Sequence, residues 1–481
     1  MNENGRKYLV WFGHNNSYFN CRFLELESLA EQNGVRVESL YDSTRPSPLS
    51  TDPFAIVSLP SDEIAKRIGE KSVLIRYIVD LWGTGGSDDD VIDSVRKSVS
   101  REVWDSHFVG KPFSYKVIGY GTQYSDKQRK DRMCAFATLF YGPEKVDLKS
   151  PITNLIIIDQ FEALNLFPTG TRDDKNNPLV PKFNRTFYGR IVWSYSTSPP
   201  RSKYVLTERP ILGPTSLDND LAFMMANIAQ VEGGKLVYDS FCGTGGLMIA
   251  ASALGGTCFG SDIDVRVLRG EFVSYVHKQV SENQSRDIYE NFKYYKLPAP
   301  EVIAMDNSHT SFKLSEDRLP MFDIILTDPP YGVRAGAKKI GQKSPHDVVD
   351  RDSYYPQMLG YSPDEVNTDL LSLSSKLLVS NGLLVFLLHI DLIDLFSQEE
   401  LEELRALSHT RSAGATRVLV HKFSGTEYVY ANEGARDRQF LDEVNIRDRV
   451  VPIHPDFEFA GCALQILAAG TGRVIVKLRR C

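Results

Sequence analysis

Blocks of apolar and polar positions change their spacing along the chain, and the spacing predicts an order of elements. Residues Lys7–Phe12 read as a strand, and "YFNCRFLELESLAEQNG" (18–34) reads as a helix closed by Gly34. "PFAIVSLP" (53–60) is a second strand, "SDEIAKRIG" (61–69) a helix capped by Ser61, and "KSVLIRYIVDLWG" (71–83) a third strand. This predicts a compact α+β unit. A polar stretch, "GTGGSDDD", separates it from further strands at 113–121 and 154–164. Residues 169–209 carry turn residues and bases with aromatics between them, among them Arg185, Arg190, Arg209, Phe187, Tyr188 and Trp193. Two readings stay open there: a solvated linker, or a phosphate-contacting surface with stacking platforms.

From Ser216 the pattern becomes alternating strand and helix. A helix over "SLDNDLAFMMANIAQV" precedes the strand "KLVYDSF", the helix "GGLMIAASAL" and the strand "CFGSDID". A helix over 265–283, strands "EVIAMD" and "FDIILTD", a helix near 364–379 and the strand "GLLVFLLHI" follow. Such alternation predicts a doubly wound, mostly parallel α/β sheet whose ligands lie beyond the carboxyl ends of the strands. One rim would then carry Asp239–Gly246, Asp262–Asp264, Asp306 and Asp328–Gly332.

Bulk properties narrow the class. The 481 residues imply two to four domains. A net charge of -7 argues against a nucleic-acid footprint over the whole surface, without excluding a local basic patch. Six cysteines show no metal or disulfide spacing, so reduced thiols and no metal site are expected. No signal-like segment opens the chain, and no run reaches the roughly 18–20 apolar residues of a membrane span.

Four motifs carry the chemistry. "DSFCGTGG" (239–246) links a strand to a helix, and Gly243 and Gly245 allow close backbone approach to a ligand, although a tight turn has the same look. Asp262, chosen over Asp264, ends the next strand, where an acid commonly holds ribose hydroxyls; a helix cap is the alternative. Asp306 ends a third strand and is placed to accept from an adenine amine. The fourth is "FDIILTDPPYGVR". An exocyclic amine is a poor nucleophile because its lone pair is delocalised. The Asp328 carboxylate and the Pro329 carbonyl, held by the rigid Pro329–Pro330 pair, would grip both N–H groups and localise that lone pair. Tyr331 would stack on the base. Cys242 has no activating histidine and reads as a small filler, and the nine histidines read as surface or packing residues.

Taken together these motifs resemble class I S-adenosylmethionine-dependent amino-methyltransferases. More narrowly, "RPILGPTSLDNDLAFMMANIA", "VYDSFCGTGGLMIAA", "FGSDID", "ILTDPPYGVRAGAKKIGQK", "FYGRIV" and the tail "HPDFEFAGCALQIL" resemble the catalytic subunit of eukaryotic tRNA guanosine-N2 methyltransferase, which acts at position 10. The resemblance implies a ferredoxin-like unit (1–85), a THUMP-like RNA-binding region with linker (86–200) and a methyltransferase domain (201–481) with an insertion near 391–450. It implies Asp328, Pro329, Pro330 and Tyr331 as the catalytic group. It further implies Asp239, Gly243, Gly245, Asp262 and Asp306 around S-adenosylmethionine, with Asp239 near the ammonium. The substrate would be tRNA, the location cytoplasmic, and the partner a small zinc-binding activator that brings its own zinc. It also adds weight to Lys127, Arg129, Lys130 and Arg132 as RNA contacts. Ser240 departs from a frequent proline. Segment 391–451 holds 12 acids and 8 bases and reads as a solvated insertion, with a capping box at Ser397 and Glu400. Methylation of adenine N6 or of a glutamine amide, and a non-catalytic RNA-binding scaffold, are the competing functions.

Overall fold

The computed structural model describes all residues except 1–4, 14–17, 43–44, 47–49, 51, 141–144, 162–181, 198–200, 214–215, 271–274, 277–285, 313–319, 332–337, 342–356, 400, 403–417, 424–425, 432–442 and 468–469. In the N-terminal half, six strands form one sheet: β1 (Arg6–Phe12), β2 (Phe54–Leu59), β3 (Ile75–Gly85), β4 (Phe113–Tyr120), β5 (Thr153–Phe161) and β6 (Phe183–Ser194). Their order is β2-β1-β3-β6-β5-β4, so β3 and β6 pair antiparallel across the middle. Helices α1 (Arg22–Gln32) and α2 (Asp62–Lys71) belong to the first part; α3 (Asp88–Ser98), α4 (Arg101–Phe108) and α5 (Asp126–Ala135) follow β3. Ser61 caps α2 as expected, accepting from the Ile64 amide at 3.4 Å.

Two expectations for this half are corrected. "GTGGSDDD" is no separator: Ser87 caps α3, and that helix packs directly on β3. Gly83 is required by that approach, because a Cβ there would meet the Val91 carbonyl at 2.8 Å. Within 169–209, residues 183–194 are no loop either, whereas Tyr195–Thr197, Arg201–Tyr204 and Leu206–Glu208 form short 3-10 turns. Residues 183–194 are the long, central β6, whose Phe187, Tyr188 and Trp193 are core residues and not stacking platforms. Arg190 is spent on Asp62 (2.6 Å) and Asp80 (2.9 Å), and Arg185 on Asp52 (2.9 Å). Arg132 is committed likewise to Asp88 (2.7 Å) and Asp159 (2.8 Å). Lys127 and Lys130 remain exposed; the bases at 172 and 175 lie outside the described residues.

The C-terminal half opens with β7 (Ile211–Leu212) and α6 (Asn219–Ile228). It continues with β8 (Leu236–Asp239), α7 (Gly246–Ala253), β9 (Thr257–Asp262), α8 (Val265–Leu268), β10 (Tyr275–Val276) and α9 (Ile288–Tyr295). Next come β11 (Glu301–Ala304), β12 (Phe322–Thr327), β13 (Lys338–Gly341), β14 (Gln357–Gly360), α10 (Pro363–Leu377) and β15 (Leu378–Asp391). The ribbon of β16 (Val418–Phe423) and β17 (Thr426–Ala431) lies in the expected insertion, and β18 (Phe457–Ile466) and β19 (Thr471–Arg480) close the chain. Seven strands make one sheet in the order β11-β9-β8-β12-β15-β19-β18. The first five run parallel; β19 pairs antiparallel with β15, and β18 antiparallel with β19. This is the doubly wound α/β sheet expected from the alternation. The helix expected over 265–283 stops after one turn. Gly270 adopts φ +72°, a Cβ there would strike the Arg286 carbonyl at 1.9 Å, and residues 275–276 pair with β7 instead. The Ser397 capping box lies partly outside the described residues, since Glu400 does.

The halves are bonded through α1. Asn227 of α6 donates to Glu25 (2.8 Å) and to the Lys71 carbonyl (2.8 Å), and Gln32 donates to the Gln230 carbonyl (2.8 Å). Lys477 of β19, 2% exposed, donates to Ser28 (3.0 Å) and Glu31 (2.8 Å). α6 is therefore buried along nearly its whole length, which explains a helix apolar on more than one face.

Candidate active site

Four strand ends converge on one cavity of about 1000 Å³. β8 delivers Asp239 and the turn 240–245, β9 delivers Asp262, β11 leads to Asp306, and β12 delivers Asp328, Pro329, Pro330 and Tyr331; all these acids and the proline–tyrosine stretch line the space. Parallel strands end on one side, so residues nearly 90 positions apart in sequence meet at that rim.

The glycine turn is shaped by backbone conformation. Gly243 has φ +50° with open space where a Cβ would project, so the cavity reaches its main chain. Gly245 has φ +85°, and a Cβ there would press on Phe292 and Ile288 at 3.1 and 3.2 Å. Gly243 lines the cavity directly; Gly245 holds the turn against α9 from behind.

The acids differ in state. Burial, with the nearby charges of Asp328 and Asp262, pushes the Asp239 carboxyl up to about 7; bonds from Thr327 (2.7 Å) and the Phe241 amide (3.1 Å) oppose the shift. Burial also raises Asp262, against the amides of Gly243 and Asp264, each at 2.9 Å. The Ile263 amide is a third backbone donor to this carboxylate, which leaves it room for one ligand hydroxyl. Asp306 is more committed. Its Oδ1 takes the Ser308 amide and hydroxyl, and its Oδ2 takes the Ile340 amide at 2.6 Å, which ties β13 down beside the cavity. Cys242 is buried and its thiol is pushed well up by burial, so it is a neutral filler. Lys338 lines the cavity; Lys339 is paired with Glu365 at 2.7 Å, and Lys343 lies outside the described residues.

Asp328 Oδ1 is buried without a hydrogen-bond partner. His389 Nε2, equally unpartnered, stands 3.6 Å from it, too far for a hydrogen bond. The His389 imidazole stacks on Tyr331. Sequence reasoning missed this histidine and grouped it with surface and packing residues. Its only signal was position: it sits near the end of β15, the strand beside β12. Arg209 was also misplaced. It is 1% exposed on the cavity wall and forms no part of an RNA-facing surface.

Residues 6–174 match the family described as the Tmrp11 THUMP N-terminal domain, and residues 207–344 match the RMKL-like methyltransferase domain. The tRNA (guanine(10)-N(2))-methyltransferase of Dictyostelium discoideum is 29% identical over 400 residues, covering 79% of this chain and 73% of the relative. That of Saccharomyces cerevisiae is 29% identical over 400 residues, covering 79% and 83%. The human enzyme is 27% identical over 343 residues, covering 69% and 70%. The strand order, the rim of acids and these matches together make the chain a class I methyltransferase with a THUMP-type N-terminal domain, similar over most of its length to tRNA (guanine(10)-N(2))-methyltransferases.

Proposed function

We propose that this chain transfers a methyl group from S-adenosylmethionine to the exocyclic N2 of guanosine 10 in tRNA, with Asp328 gripping the amine. The observation that carries the reading is the unpartnered Asp328 Oδ1, buried on the same cavity as the open main chain of Gly243. The residues present fit S-adenosylmethionine: a glycine turn a Cβ would not obstruct at Gly243, an acid with room for one ligand hydroxyl at Asp262, and a buried acid at Asp239 suited to an ammonium. When bound, the cofactor supplies an electrophilic methyl group on a sulfonium.

The protein's own part is to orient and to accept a proton. Asp328 and the Pro329 carbonyl accept from the two N–H groups of the guanine amine, which localises the nitrogen lone pair. Pro330 keeps that carbonyl's direction fixed. Tyr331, backed by His389, supplies the stacking face. The proton lost from nitrogen passes to Asp328. Gly243 and Gly245 shape the turn at the methionyl end, Asp239 faces the ammonium, Asp262 the ribose, and Asp306 closes the adenine end.

We assign residues 201–481 to this chemistry, including the insertion near 391–450, residues 1–85 to a ferredoxin-like unit and residues 86–200 to a THUMP-like RNA-binding region with linker, although those two stretches share one sheet. A small zinc-binding activator is proposed as partner. β11 supports it: this strand ends the seven-stranded sheet, pairs only with β9 among the described strands, and leaves Ile303 45% exposed. The cytoplasm is proposed as the location; among the described residues no helix is long and apolar enough to cross a membrane.

The test incubates the chain, with and without the activator, with tritiated cofactor and bulk tRNA, DNA or protein. Label in tRNA N2-methylguanosine that vanishes in Asp328→Ala supports the reading. Label surviving that substitution overturns the assignment of Asp328, and label only in DNA adenine or protein glutamine overturns the substrate.

A further inference from the structure

Arg209 is among the largest fully buried side chains, 1% exposed, and its Nε and Nη1 have no hydrogen-bond partner. A buried charge with unused donors is among the costliest arrangements a fold carries unless a ligand completes it. Its surroundings sharpen the point. Nη1 lies 3.4 Å from where a Cβ on Gly246 would sit, and Gly246 is the first residue of α7, so the guanidinium faces the positive end of that helix. Burial depresses the guanidinium, and Tyr295 and Asp218 offset only part of that cost. Asp218 Oδ1 is itself engaged by the amides of Asp220 and Leu221 and by the Tyr18 hydroxyl. The Tyr295 hydroxyl lies beside the guanidinium but makes no short, well-aligned hydrogen bond.

Arg209 and Gly246 line the same cavity as Asp239 and Asp262. One part of the wall therefore offers free cationic donors and another offers buried carboxylates. An amino acid zwitterion matches that pattern, with its ammonium toward Asp239 and its carboxylate toward the guanidinium. A nucleic-acid phosphate matches it poorly, because Asp239, Asp262 and Asp328 would repel it. We propose that Arg209 is the receptor for the carboxylate of the cofactor's methionyl end, through Nε and Nη1 as charge-assisted donors. The proposal rests on the reading that this cavity holds S-adenosylmethionine.

The test is calorimetric binding to the full chain of S-adenosylhomocysteine and of its decarboxylated counterpart. On the native protein the decarboxylated ligand is expected to bind about ten- to hundredfold more weakly, the effect of losing a charged hydrogen bond. In Arg209→Met the two ligands are expected to bind alike, at the weaker level, while tRNA affinity in filter binding stays unchanged. Arg209→Lys is expected to recover part of the discrimination. Equal binding of the two ligands to the native protein, or discrimination that persists in Arg209→Met, overturns the proposal and leaves the cofactor reading intact. A loss of tRNA affinity with cofactor affinity untouched also overturns it, in favour of a phosphate contact. Failure of both ligands to bind the native protein overturns the cofactor reading itself. The first comparison uses native protein only, so a misfolded variant does not obscure it.

Discussion

The imidazole of His389 lies flat on the ring of Tyr331, with centroids 3.4 Å apart and planes 20° from parallel. One face of the tyrosine is thus occupied, and the proposed stacking of a base would use the other. Removing the imidazole takes away a stacking contact worth about 0.5–1.5 kcal/mol. His389→Ala is expected to raise KM for tRNA by about three- to tenfold, and His389→Phe to recover most of that loss. Steady-state kinetics on both variants separate the contributions: a Phe variant as poor as Ala would show that stacking is not what the histidine provides.

Asp239 gives the site a pH dependence. Its carboxyl, raised to about 7 by burial first, is half protonated near neutrality before any ligand arrives. A ligand ammonium favours the ionised form, so binding below that value must expel a proton. Affinity for S-adenosylhomocysteine is expected to be flat above about pH 7.5 and to fall by up to about tenfold per pH unit below 6.5. Asp239→Asn should flatten the profile at the weak end. The same shift has a stability consequence of opposite sense: a carboxyl whose folded value is raised contributes most at low pH, and that contribution is lost as pH rises from about 4 to about 7. Titration calorimetry from pH 5.5 to 8.5 tests the first statement, and thermal melts of the ligand-free protein the second.

The contact between halves should respond asymmetrically to mutation. Burial lowers the Lys477 ammonium below its usual range, while Glu31 and Ser28 hold it. Glu31→Ala leaves that charge buried with less compensation and is expected to cost about 2 kcal/mol, below the figure for a fully buried pair because part of Glu31 reaches solvent. Lys477→Met removes the charge altogether and is expected to fall within about 1 kcal/mol of the parent. Urea unfolding midpoints would rank the two.

The edge strand β11 bears on the proposed partner. Ile303→Lys places a charge on an exposed apolar edge position and should leave the folded chain intact. Co-purification with the activator is expected to drop by at least about tenfold, since a desolvated lysine is strongly disfavoured in an interface core. Undiminished co-purification would move the docking surface elsewhere.

The rim of the sheet was readable in advance because its signals are local. A strand followed by "DSFCGTGG", or by "DPPY", needs only short-range chemistry to be recognised. What escaped has long-range causes. His389 acquires its meaning from a strand sixty positions beyond Asp328 that happens to lie beside it. Arg209 looked like one base in a basic stretch until folding buried it against α7. Phe187, Tyr188 and Trp193 resembled stacking platforms, yet a central strand needs apolar groups on both faces, and β6 uses them for that. Helix 265–283 failed for a local reason of another kind: periodicity ran on through Gly270, whose left-handed backbone ends the turn.

The antiparallel pairing of β3 with β6 sets how the N-terminal half comes apart. Residues 86–182 are an excursion that leaves the middle of a sheet and returns to it, so a cut after residue 85 yields no self-sufficient fragment on either side. The first piece would bare the flank of Ile75–Gly85, and the remainder would carry β6 stripped of one neighbour. The two parts of this half therefore stand or fall together as one folding unit.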